Sequence, residues 1–211
     1  MRTITIDDLI IENVRFTKNA LLEIGIKNYL PFLIRRKSFN NGFQAQFSIN
    51  AKDIEVEKEG GNWVKLSDLG TDALKYTVNI KGPNKGLLRI NREGYDENIK
   101  VNMHSVTFAN DLGSSGNMSN LKGNIGIVVL STVAKVLTVF VEEYKSQFQC
   151  FTFSPANDRL IGVYEILAKE SERQTSTLIY ANKDSGKNMK RWFLLNKVLW
   201  NKFLSIKKGK E

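Results

Sequence analysis

From Phe43 to Asn110 the apolar side chains recur at every second position, and this period confines what the chain can fold into. Phe43, Ala45, Phe47 and Ile49 alternate with polar neighbours, as do Leu74, Tyr76, Val78 and Ile80. Ile99, Val101 and Met103 do the same and, after a change of phase, so do Val106 and Phe108. Successive strand residues point to opposite faces, so the pattern gives each strand one core face and one wet face, as antiparallel sheets require. The run FQAQFSINAKDIEVE, the Gly60-Gly61 pair and WVKL predict a hairpin. LKYTVNI and LLRI are expected to be separate strands, joined by a turn at Gly82-Pro83-Asn84. Residues 43 to 110 are therefore expected to be mostly antiparallel β.

The period then changes. Asp111 to Asn124 is loop by composition, rich in Gly, Ser and Asn. In IGIVVLSTVAKVLTVFVEEY, Val129, Val133, Val136, Leu137 and Phe140 share one helical face. The β-branched residues at the start of that run favour a strand over Ile125 to Leu130, but the helical stripe is longer and predicts a helix. QCFTFS reads as a short strand. NDRLIGVYEILAKESE opens on an Asx cap and spaces Leu160, Val163, Tyr164 and Leu167 as a second helix. TLIYA and RWFLL predict a closing hairpin, and VLWNKFLSIKKGK a basic amphipathic last helix. At the other end Ala20, Leu21, Ile24 and Tyr29 predict a helix stopped by Pro31. The fold class is α+β, in a single domain: a helix and β-rich extension over residues 1–104, a core over 105–195 and a basic helix over 196–211.

Composition narrows the functions. With 211 residues, 42% hydrophobic and 25% charged, the chain can bury a core of its own. One cysteine, Cys150, and one histidine, His104, exclude an internal disulfide and a structural zinc site, so no metal is expected. Asp7, Asp8 and Glu12 interrupt the first apolar stretch, so no export signal is read, and synthesis in a cytoplasm is expected. The longest apolar run, Ile125 to Val141, contains Ser131, Thr132 and Lys135 and predicts no transmembrane segment. The net charge of +9 attracts anionic partners, nucleic acid among them. Much of the excess lies at the end of the chain, where Lys183, Lys187, Lys190, Arg191, Lys197, Lys202, Lys207, Lys208 and Lys210 face Asp184 and Glu211. Abundant Asn, Lys and Ile suggest an AT-rich genome of the kind many bacteriophages have.

From Ser105 to Leu195 the expected order is strand, glycine-bearing loop, helix, strand, Asn-capped helix and hairpin. This order, with Lys122-Gly123-Asn124-Ile125-Gly126 opening the first helix and Asn157-x-x-Leu160-x-x-x-Tyr164 in the second, resembles the GNAT (Gcn5-related N-acetyltransferase) family. The same run is similar to small uncharacterised tailed-phage proteins with GNAT-like sequences. The resemblance covers about 90 residues. It implies a GNAT-like mixed sheet with flanking helices and acetyl-CoA as the cofactor. It further implies that Lys122, Gly123, Asn124 and Gly126 meet the pyrophosphate, that Asn157 lies near the cofactor arm, and that Tyr164 is the acid protonating the leaving thiolate. The phosphate loop works by helix-start N–H groups that no side chain obstructs. Here Asn124 stands where the family has its central glycine, and Leu160 replaces an alanine. The two helices that form the family's acceptor site have strands in their place.

Each of these residues also has an ordinary structural reading. Tyr164 packs on a sheet, Asn157 caps a helix, and the glycines relieve strain at a helix start. His104 is expected to be a surface or hydrogen-bonded residue, Cys150 inert core, and Glu142-Glu143 a solvated pair. Trp192 and Trp200 are core by default. Val198, Leu199, Phe203 and Ile206 form a stripe that either docks on a partner or packs on the chain's own sheet. Lys197, Lys202, Lys207, Lys208 and Lys210 around it are the candidate contacts to a protein partner or nucleic acid. Two functions stay open. One is a GNAT-like binding or assembly protein without catalysis, a phage virion or host-interaction component that associates with other subunits and needs no cofactor. The other is an acetyl-CoA-dependent N-acyltransferase with Tyr164 as general acid. The imperfect loop favours the first.

Overall fold

The computed structural model describes residues 29–57, 61–92, 95–111, 121–122, 125–153, 168, 171–172, 175, 177–181 and 192–208. Ten strands and two helices are assigned among them: β1 (Leu33–Arg36), β2 (Phe43–Asn50), β3 (Glu55–Glu57), β4 (Trp63–Lys65), β5 (Ala73–Arg92), β6 (Tyr95–Asn110), β7 (Leu121–Lys122), α1 (Ile125–Glu143), β8 (Cys150–Phe153), β9 (Leu178–Ala181), β10 (Trp192–Asn196) and α2 (Lys197–Lys208). Ala168, Ser171 and Glu172 have helical backbone. The class is α+β with a mixed sheet, as the change of period predicts. No helix among the described residues is long and apolar enough to cross a membrane. The expected amino-terminal helix lies outside the described residues.

The chain forms two compact units, each drawn from several segments. The first comprises Met1–Arg36, Gln44–Asn79 and Phe108–Val136. It holds the β1-β2-β5-β6 part of the main sheet order and a small sheet ordered β4-β3-β7. β1 runs antiparallel to β2, with Leu33 opposite Gln46 and Ile34 opposite Ala45. Ala45, Phe47 and Ile49 are buried, and the Phe47 ring stacks on Tyr76 at 5.1 Å. On the other face, Gln44 donates to Asn79 at 3.0 Å and Gln46 to Thr77 at 3.2 Å, which knits neighbouring strands through their polar side chains.

The expected long hairpin is interrupted at Asn50. Its side chain accepts from the Lys52 N–H at 2.9 Å and starts a single 3-10 turn over Ala51–Asp53. The chain thereby leaves the main sheet, and Trp63–Lys65 pairs with Glu55–Glu57 in the small sheet. In the same unit, the first part of α1 places Val129, Leu130, Val133, Ala134 and Val136 in buried positions. Thr132 returns its hydroxyl to the Val128 carbonyl at 2.6 Å and accepts the Leu30 N–H at 2.9 Å.

The second unit comprises Lys37–Phe43, Ile80–Thr107 and Leu137–Glu211. Its sheet order is β5-β6-β8-β10-β9. β8 lies parallel to β6, with Met103 opposite Cys150, His104 opposite Phe151 and Ser105 opposite Thr152. β10 lies between β8 and β9 and is antiparallel to both, so the closing hairpin forms as expected. One sheet face carries Leu88, Val101, Met103, Cys150, Ile179 and Leu195 beneath Trp200 of α2. The opposite face carries His104 and Phe151, against Phe140 of α1. Burial on both faces explains the change of phase in β6, because Met103 and His104 are consecutive and both covered.

Gly82-Pro83 is not a turn. Both residues lie within β5, which continues to Arg92. Proline removes one donor from the ladder without ending the strand. Gly82 has φ 129°, and a Cβ there would stand 2.7 Å from the Met103 carbonyl oxygen, so only glycine fits.

Candidate functional site

Among the described residues, aromatic side chains gather around His104, a grouping that sequence reading did not foresee. Phe140 and Tyr144 are one helical turn apart near the end of α1, with ring centroids 4.8 Å apart. Phe148 and Phe151 follow on the approach to and along β8, 4.3 Å from each other. Phe39 is supplied by the connection between β1 and β2. There the Asn41 N–H donates to Ser38 Oγ at 3.1 Å, and the chain enters β2 through Gly42 at φ 95°. Lys37 at the start of this connection is ion-paired with Glu143 of α1.

His104 sits among these rings. Its imidazole lies 4.7 Å from Phe39 and 5.3 Å from Phe140, both edge to face, and 5.9 Å from Phe148. The residue is 0% exposed, and neither Nδ1 nor Nε2 has a hydrogen-bond partner. It is therefore neither on the surface nor satisfied, which corrects the expectation. Burial lowers its pKa from the ordinary 6.5 to about 4, while the nearby backbones of Phe39 and Cys150 pull weakly the other way. The imidazole is neutral at pH 7 and shut off from any solute. Cys150, opposite Met103 in the register, is buried as expected, and burial pushes its thiol well above the usual range. Burial also raises the Tyr144 phenol, and raises Tyr76 in the other unit despite the Asn110 side chain beside it.

Of the residues implied by the family resemblance, Lys122 falls in β7, with its backbone opposite Glu55. Gly126 falls in the first turn of α1, which carries no acidic residue. Gly123, Asn124, Asn157 and Tyr164 lie outside the described residues. Among the basic candidates, Lys197 and Lys202 are exposed on α2, and Lys207 and Lys208 end that helix. Lys210 lies outside the described residues. The apolar stripe of this helix is divided. Leu199 and Phe203 pack with Leu204 and Trp200 on the chain's own sheet, whereas Val198 is 75% exposed. Of the two readings of this stripe, Leu199 and Phe203 follow the one in which the helix packs on the chain's own sheet. Among the described residues, no group of three or more His, Cys, Asp or Glu could hold a metal ion.

Two signals in the sequence point to the ring cluster in retrospect. One is the i, i+4 spacing of Phe140 and Tyr144. The other is the phase change in β6, which places His104 on a second buried face. No protein-family model, curated protein or solved structure matches the chain.

Proposed function

We propose that this chain is a GNAT-like binding or assembly protein without catalysis, a phage virion or host-interaction component that associates with other protein subunits. The observation that carries this reading is the state of its reactive side chains. His104, Cys150, Tyr76 and Tyr144 are all shifted toward their neutral forms, with burial the leading cause. Catalytic acids and bases must meet the substrate, whereas His104 and Cys150 are fully buried, the state of core residues. The GNAT-like part of the reading is supported by the chain order. β6 is followed by α1, by the parallel strand β8 and by the antiparallel β9–β10 pair.

Titration calorimetry with acetyl-CoA tests the proposal, with no saturable binding expected. A ligand at 100 times its dissociation constant would add about 2.7 kcal/mol of stability, so a thermal shift is a sensitive second readout. A binding isotherm that disappears in Gly126→Trp overturns the reading. One observation favours the alternative of an acetyl-CoA-dependent acyltransferase: the first turn of α1 has Gly126 and no acidic side chain, a composition suited to an anion. In that case Tyr164→Phe lowers turnover by roughly 10²–10⁴ while leaving the fold intact.

A further inference from the structure

We propose that the connection between β1 and β2 is an acid-released flap, held closed by Phe39 packing on neutral His104 and opened when that histidine takes up a proton. The geometry sets up the coupling. Phe39 touches His104, Phe140 and Tyr144 at 4.7, 6.2 and 5.5 Å between ring centroids. It comes from a short connection and is half-buried, whereas Phe148, which also lies outside helix and strand, is buried. Both imidazole nitrogens are buried without partners. A proton added to either creates a charge that burial opposes more than the Phe39 and Cys150 backbones favour it, and hydration is the least costly remedy. Moving Phe39 outward admits water without breaking the sheet.

Among the described residues, the groups facing His104 supply no counter-charge. Just past the end of α1 comes the Tyr144 phenol, raised by burial and neutral, while the Cys150 thiol of β8 lies on the opposite sheet face. From β5, Gly82 approaches the His104 backbone. The charged pair next to the cluster is Lys37 with Glu143, which engages the flap itself and is already matched. The faces of Phe39, Phe140 and Phe148 attract a cation, but they replace only part of its lost hydration.

His104 is the chain's single histidine, so its imidazole signals in a proton–carbon NMR spectrum need no assignment. In the full chain the ring is expected to stay neutral well below pH 6.5 and to protonate near pH 4, losing its nuclear Overhauser contacts to Phe39 as it does so. The Leu195 methyl signals, from the opposite sheet face, should persist through that step. Phe39→Ala should return the titration toward 6.5, raising the protonated fraction at pH 5.5 by roughly thirtyfold. Phe39→Leu, which keeps most of the apolar fill, should move it in the same direction by less, and it remains informative where the alanine variant does not fold. A wild-type titration near 6.5 with the Phe39 contacts intact overturns the proposal. So does an unshifted titration in the folded Phe39 variants.

Discussion

Removing the last helix is expected to unfold the second unit rather than merely strip it of a partner. Trp200 is 2% exposed and lies in the cluster formed by Leu88, Val101, Met103, Cys150, Ile179 and Leu195. Its ring stacks on Phe203 at 5.7 Å, and Leu199 and Leu204 close the sides. Replacing a buried tryptophan by alanine costs about 3–5 kcal/mol, the larger figure applying where the surroundings cannot collapse. β6, β8 and β10 are held in register by their ladders and can follow the lost ring only slightly, so about 4 kcal/mol is expected for Trp200→Ala. At about 2–4 °C per kcal/mol for a chain of this size, the melting temperature should fall by about 10 °C. Deleting residues 197–211 also removes three half-buried side chains worth about 1 kcal/mol each, which brings the loss to the lower end of the 5–15 kcal/mol that a typical domain possesses. Val198→Ala, on the exposed side of the same helix, should change stability by less than about 0.5 kcal/mol. Circular dichroism melts and urea titrations of the three variants decide the matter. A truncated chain that melts within 2 °C of the full one, roughly the effect of a single kcal/mol, would refute the assignment of α2 to the core.

Three other perturbations follow from local geometry. Gly82→Ala places a Cβ 2.7 Å from the Met103 carbonyl at φ 129°, so about 2–4 kcal/mol should be lost, read as a lower urea midpoint. Asn196→Ala removes the acceptor of the Val198 N–H at 2.8 Å and should cost about 1 kcal/mol, with the amino end of α2 fraying first. His104 has a folded-state pKa of about 4 against the ordinary 6.5, so its contribution is fully present above pH 6.5, falls as the pH drops toward 4 and is flat below that. The gap corresponds to about 3 kcal/mol, and His104→Phe should flatten the stability profile over that interval in urea titrations at fixed pH.

Much of the architecture is legible because period alone carries it. The alternation at Phe43 to Ile49 and at Leu74 to Ile80 gives strands with the expected buried faces, and the helical stripe from Val129 to Phe140 overrides the β-branched residues at its start. Breaks in regular structure are harder to read, since they turn on where side chains and backbone find partners. Gly82-Pro83-Asn84 has the composition of a turn, yet β5 runs through it because the neighbouring strand passes close enough to exclude a Cβ. Asn50 has no unusual setting in the sequence, yet its amide caps the 3-10 turn that divides the expected hairpin between two sheets. For the last helix, the pattern of Val198, Leu199, Phe203 and Ile206 does not say which apolar residues face inward. Trp200 and Leu204, outside that stripe, do much of the burial.

The candidate site is less legible than the fold for a related reason. A lone histidine in an alternating strand reads as a wet residue, because alternation assigns one face to water. That inference holds only where the sheet has a wet face. In the second unit α2 covers one side and the end of α1 the other, so a polar residue on either face is enclosed. The adjacency of Met103 and His104, both buried, is the local mark of such a doubly covered strand. What encloses His104 comes from far along the chain in both directions, Phe39 before it and Phe140, Phe148 and Phe151 after, and no short-range pattern links them. Aromatic rings fill that space without offering the imidazole an acceptor. A leucine or phenylalanine at position 104 would satisfy the packing, and the histidine differs from either in being able to take up a proton. The pH dependence of the flap therefore tests what the histidine adds beyond filling the core.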